Sequence, residues 1–178
     1  EMVSTMVFRG DGLGVAHPDD SDAVHAIVER MLQTGDQVPL HVELLHSAER
    51  LHATGYQRSA VIGSGSALEV FVWQLLRRHL DAQGMASADV EDVLQKEKLG
   101  DLMKKPMEDA IGWRASEDNA LWQDWIWANG IRRGATHQGA AVTSADAERV
   151  IQIVHRLTDA VEQHTPQATT NELGPTRQ

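Results

Sequence analysis

Cysteine is absent from this chain of 178 residues, which removes disulfide frameworks and thiolate metal sites and fits a reducing compartment. No run approaches the eighteen or so consecutive apolar residues that a bilayer span needs. Glu1 to Met6 lack the basic stretch leading into an apolar one that marks a secretory leader. The expectation is a cytoplasmic protein with no membrane contact. Positive charge is scarce as well: 16 Lys and Arg stand against 26 Asp and Glu, a net charge of −10. Proteins that coat nucleic acid neutralise phosphates with Lys and Arg, so any RNA contact here has to be local. Twelve of the basic residues are Arg, and two neighbouring pairs, Arg77-Arg78 and Arg132-Arg133, can form small positive patches on an acidic body.

With 42% hydrophobic residues, the chain is long enough for one domain with a real core. Residues 1–20 combine a β-like run, Met6-Val7-Phe8, with Gly10, Gly12, Gly14 and Pro18, and read as an N-terminal arm or hairpin. Residues 21–164 carry helical periodicity. A first helix is capped by Ser21 and places Val24, Ile27, Val28, Met31 and Leu32 on one face before Gly35. A second runs from Pro39 to Gly55 with Leu40, Leu44, Leu45, Ala48 and Leu51 inward. The third, Tyr56 to Leu80, is the longest and most apolar, and its small residues Gly63 to Ser66 admit a close neighbour.

Residues 81–116 read as an inserted segment with short helices at Ala88–Glu97, capped by Ser87, and around Met107–Trp113. A fourth major helix starts after Ser116, carries Leu121, Trp122, Trp125, Ile126 and Ile131, and frays at Gly134 and Gly139. That leaves His137 at or just past its end. A fifth is capped by Ser144, and residues 165–178 read as a flexible tail. Five helical patterns without convincing paired strands predict an all-α antiparallel bundle.

Several motifs invite chemistry and most dissolve on inspection. Glu43-x-x-His46 and Glu49-x-x-His52 have the spacing of di-iron bundles, but both lie on one helix with no second such helix to face them. Gly63-Ser64-Gly65-Ser66 lacks the lysine of a phosphate loop and lies inside a helical pattern. No metal and no cofactor is expected. Trp122, Trp125 and Trp127 are too close in sequence to share one helix face, so at least one is expected to leave the monomer core, for an oligomer seam or, less commonly, for stacking on bases.

The segment Ile131-Arg132-Arg133-Gly134-Ala135-Thr136-His137-Gln138-Gly139 is the strongest candidate. Arginine is a permanent forked cation suited to phosphate, and histidine exchanges protons near neutral pH. The residues from Tyr56 to Leu80, with the Ala-Leu-Glu step at Glu69, resemble the core helix of HEPN domains. Arg132 to His137, followed by a short loop and a long amphipathic helix, resembles the Arg-x4-6-His motif of that superfamily, and the resemblance covers about residues 38–163.

The resemblance implies a helical bundle that dimerises about a twofold so that both Arg/His pairs meet in one cleft. It also implies one of two functions. Many HEPN proteins are metal-independent endoribonucleases of toxin–antitoxin and antiviral defence systems, with an antitoxin or other defence protein as a partner. Others have lost catalysis and serve as binding or dimerisation modules. In the first case His137 acts as general base or acid, Arg132 stabilises the charge growing on phosphorus, and Arg133 binds substrate phosphate. Asn129 and Glu69 would support the site, Glu69 either by orienting His137 or Arg132 or as a structural polar pair. The family commonly places Asn, Asp or His directly after the arginine, where this chain has Arg133.

Overall fold

The computed structural model describes residues 38–165 throughout, together with the backbone of residues 6–9 and 12–15. Those two short strands, β1 (Met6–Arg9) and β2 (Gly12–Val15), pair antiparallel with Met6 opposite Val15 and Arg9 opposite Gly12. They form the hairpin expected of the arm. The helix predicted over Val24 to Leu32 and the tail beyond Thr165 lie outside the described residues.

The body is an all-α bundle. Helix α1 (Leu40–Ala53) has Glu43 in its first turn and Arg50 and His52 in its last, the charge order that complements a helix dipole. Its buried residues, Val42, Leu45 and Ala48, follow helical spacing. The chain reverses at Gly55, whose φ of +89° favours glycine, and continues as α2 (Gln57–Ala82). A Cβ on Gly63 would lie 3.4 Å from the Ala48 Cβ, so the missing side chain lets α1 and α2 pack closely.

Helix α2 is long and apolar enough to cross a bilayer, yet 56% of its most apolar window is buried within the bundle. Ala60, Val61, Ala67, Leu68 and Val72 are sealed, as the core helix of a bundle requires. Ser64, also buried, returns its hydroxyl to the Ala60 carbonyl at 2.8 Å and so leaves no unpaired donor.

Three short helices, α3 (Ser87–Lys96), α4 (Leu99–Leu102) and α5 (Lys105–Ile111), pack on α2. Val90, Leu94, Leu102 and Met107 carry them into the core, so the inserted segment is part of the bundle rather than an appendage. A 3-10 turn, Ala115–Glu117, leads into α6 (Asn119–His137), and α7 (Ser144–His164) closes the body against α1, α2 and α6.

The helix starts differ by a residue or two from those the sequence suggests. Ala86, not Ser87, stands at the cap of α3. Asp118 caps α6 by accepting from the Leu121 N–H at 2.9 Å, while Ser116 lies in the 3-10 turn. Thr143 rather than Ser144 caps α7, in a capping box with Asp146 whose two side chains meet at 2.6 Å.

Ionic contacts also tie the helices together. Asp124 of α6 receives Arg149 at 3.0 Å and Arg156 at 2.7 Å, both from α7. The Arg156 and then the Arg149 hydrogen bond hold its carboxyl below the usual range. Glu49 of α1 meets His155 of α7 at 2.7 Å and His46 at 3.1 Å, and the bond from His155 chiefly pulls its carboxyl down against the opposing effect of burial.

Candidate functional site at the contact of α2 and α6

Helix α6 carries all but one of the residues singled out in the sequence, and its neighbour α2 carries the other. Arg132 turns inward. Its Nη2 donates to Glu69 Oε2 at 2.9 Å across the helix boundary. Its stem lies flat on α2 at Gly65, where a Cβ would collide with Arg132 Cδ and stand 2.6 Å from its Nε. Gly65 and Glu69 are four residues apart and so share one face of α2, giving the arginine a floor and an anchor. The pair is half-buried, with Arg132 25% and Glu69 36% exposed.

One bond holds the two together, so neither partner is saturated. Among the described residues Glu69 Oε1 makes no hydrogen bond, and Arg132, partly exposed, retains further N–H groups without a partner there. Gly65 was not foreseen as a site residue. Its signal in the sequence, a small residue inside an apolar helix, reads as packing until the arginine that fills the space is known.

Arg133 and His137 turn outward and are exposed. At 3.6 residues per turn, positions 132 and 137 diverge by about 140° around the axis, whereas 133 and 137 differ by only about 40°. The structure therefore places Arg133 with His137 on one face and sets Arg132 apart, packed against α2. Neither Arg133 nor His137 has a side-chain hydrogen bond or ion pair among the described residues. Asn129 is partly buried and lies one turn before Arg133 on the same side.

His137 is the last helical residue, the first of the two positions, at or just past the end, that Gly134 and Gly139 suggest. The helix runs through Gly134, however, rather than fraying there. Gly134 O accepts the N–H of Gln138 and of Ala140, each at 3.1 Å, and Gly139 turns the chain away with a φ of +65°. The Ala140 methyl approaches Gly134 so closely that a Cβ there would lie at 3.4 Å.

The tryptophans resolve differently from expectation. Trp125 is buried at 4% exposure, its indole near Gly100 of α4. Trp127 is half-buried beneath the Arg149 guanidinium, 4.2 Å from the ring centroid. Trp122 is half-buried beside Gly100, with Lys104 Nζ 5.8 Å from its ring. Each indole is thus accommodated within one chain. The apolar residue of α6 that does face outward is Ile126, 49% exposed, beside Gly130, around which a Cβ would meet nothing within 4 Å.

Helix α2 also has a partly exposed side. Ile62, Ser66, Val70 and Trp73 recur at helical spacing and are only partly buried. The histidines near Glu43 and Glu49 have local partners: His46 bonds Glu49, and His52 Nδ1 meets Gln57 Oε1 at 2.6 Å. Among the described residues no group of three His, Asp or Glu side chains is arranged to hold a metal ion. Gly63 to Ser66 lie within α2 and serve packing, as their helical context predicts.

What the arrangement offers chemically is an anchored guanidinium, a carboxylate with a free oxygen beside it, a second exposed guanidinium and an exposed imidazole, along one helix and its neighbour. The chain matches no known family model, no curated protein and no solved structure.

Proposed function

We propose that this protein is a metal-independent endoribonuclease of the defence or toxin–antitoxin type, cleaving RNA by attack of the ribose 2′-hydroxyl on the adjacent phosphate at an Arg/His site completed by a second copy of the chain. The observation that carries the reading is the seating of Arg132 on Gly65 and Glu69, with Arg133 and His137 exposed on the adjoining face. Anchoring restricts the Arg132 rotamers in advance, and a preorganised cation stabilises developing phosphorane charge better than a mobile one.

The resemblance of the helix order and of the Arg132-to-His137 segment to HEPN domains supports the same reading. Cleavage breaks the P–O5′ bond and leaves a 2′,3′-cyclic phosphate and a 5′-hydroxyl, so no water attacks. Arg132 stabilises the phosphorane, Arg133 holds a phosphate, and His137 moves a proton. The divergence of Arg132 and His137 around α6 gives the second copy a reason: Arg132 of one chain faces His137 of the other. The exposed Ile126 and the uncovered Gly130 of α6 are assigned to that meeting.

A fluorescent single-stranded RNA incubated with purified protein in EDTA tests this. Cleavage is expected, with a fall of about 10²–10³-fold in both Arg132→Ala and His137→Ala. A verified dimer, free of any antitoxin, that cuts no RNA overturns the nuclease and leaves a silent binding module on the same scaffold.

A further inference from the structure

We infer that Glu69 is the general base of this site, taking the proton of the attacking 2′-hydroxyl, while His137 serves as the acid. The inference rests on the ribonuclease reading and changes its division of labour. If one imidazole per chain is the only proton carrier, two histidines are needed for one cut. The structure supplies a different acceptor.

The group touching Arg132 is a carboxylate and not an imidazole: Glu69 Oε2 accepts from Nη2 at 2.9 Å. A phosphate bound on the remaining N–H groups of Arg132 would bring its adjoining ribose alongside Glu69, whose Oε1 is unoccupied among the described residues. A carboxylate oxygen in that position accepts a hydroxyl proton directly. His137, turned about 140° from Arg132 on its own helix, would reach this phosphate from the second copy of the chain, on the side of an in-line displacement opposite Glu69.

The step balances as follows. The 2′-hydroxyl proton passes to Glu69, the O2′–P bond forms and the P–O5′ bond breaks. The departing O5′ takes a proton from a His137 imidazolium. Glu69 ends protonated and His137 neutral, and exchange with solvent restores both. A deoxyribose strand lacks the hydroxyl that Glu69 would accept from, so the same group restricts the substrate to RNA.

Gly65 belongs to this assignment. By admitting the Arg132 stem against the α2 backbone, it sets the guanidinium alongside the residue one turn further on.

Glu69→Gln keeps an amide oxygen for Arg132 but cannot accept a proton, so it separates base catalysis from anchoring. With single-stranded RNA, kcat is expected to fall about 10²–10⁴-fold, the range of a lost general base, while KM stays within about threefold. Circular dichroism and thermal melting confirm the fold of the variant, and Glu69→Ala provides a second reading, since added formate should restore part of its cleavage. Wild-type cleavage with Glu69→Gln within threefold of it, or with Glu69→Ala unresponsive to formate, overturns the base and leaves the ribonuclease standing with Glu69 as an anchor. No cleavage by the wild-type dimer overturns both.

Discussion

Among the described residues helix α6 makes ionic contact with its neighbours at two places, and these are built in opposite ways. Near its start one carboxylate, Asp124, receives two arginines from α7, and both its oxygens are occupied. Near its end one arginine, Arg132, meets one carboxylate through a single bond, over a floor with no side chain, with a second arginine exposed beside it. The first contact is closed and joins helices. The second holds unused donors and acceptors in fixed positions, which is what a site for a ligand requires.

The strongest way to break this contrast is to fill the floor. Gly65→Ala puts a methyl where Arg132 now lies, forcing the stem off α2. We expect under about 1 kcal/mol of lost stability, because the displaced atoms are the far end of a flexible, partly exposed side chain in a half-exposed ion pair, read from urea midpoints. Cleavage should fall at least tenfold in protein that is still folded. Unchanged activity would mean that the seat of Arg132 is irrelevant to chemistry.

The converse variant acts on the closed contact. Asp124→Asn should cost about 1 kcal/mol, because Arg149 and Arg156 are both about half exposed and such pairs are weak. Cleavage should not change. Chemical denaturation alongside an RNA assay checks both halves, and a large loss of activity would erase the distinction between the two ends of α6.

Acid should likewise act on the closed contacts. Asp124 and Glu49 have depressed carboxyl pKa values, through Arg156 and Arg149 for the first and chiefly through His155 for the second. Such groups contribute stability above the ordinary carboxyl range of about 4, and lose it as pH falls through their folded values. His41 adds an earlier effect. Burial keeps its pKa low, and its Nδ1 is enclosed without a hydrogen-bond partner among the described residues. A depressed histidine costs stability as pH falls through its ordinary value, about 6.5. Melting temperature should therefore begin to drop below pH 6.5, and His41→Phe should remove that first decline.

The smallest expected effect has the opposite sign. Burial, and then Asp159, raise the Glu162 carboxyl. A raised carboxyl stabilises the fold in acid and forfeits that as pH rises through its folded value, so Glu162→Gln should raise the melting temperature at pH 7, by under about 2 °C. A lower melting temperature would refute the burial argument.

How far the sequence discloses these features depends on distance along the chain. Periodicity alone places the core on α2 and assigns Gly63 to Ser66 to packing, because a helix face is set by neighbours three and four residues apart. His137 at the end of α6 follows from nearby glycines. Helix caps shift by a residue or two because Thr143 and Ser144, or Ser116 and Asp118, are comparable candidates until the backbone decides.

The contact of Arg132 with Glu69 spans 63 residues. Nothing local encodes it; it depends on where two helices cross. The tryptophans teach the same lesson, since sequence spacing excludes a common face but cannot reveal that Arg149 of α7 covers Trp127.

The position of His137 as the final residue of α6 has a thermal consequence. Terminal turns open at far lower free energy than helix interiors, and this one is secured by the Gly134 carbonyl and the turn at Gly139. Warming would unwind the imidazole from its place while the bundle stays folded. Any reaction that depends on it should therefore reach its temperature optimum well below the melting point of the protein, and cooling should restore it in full.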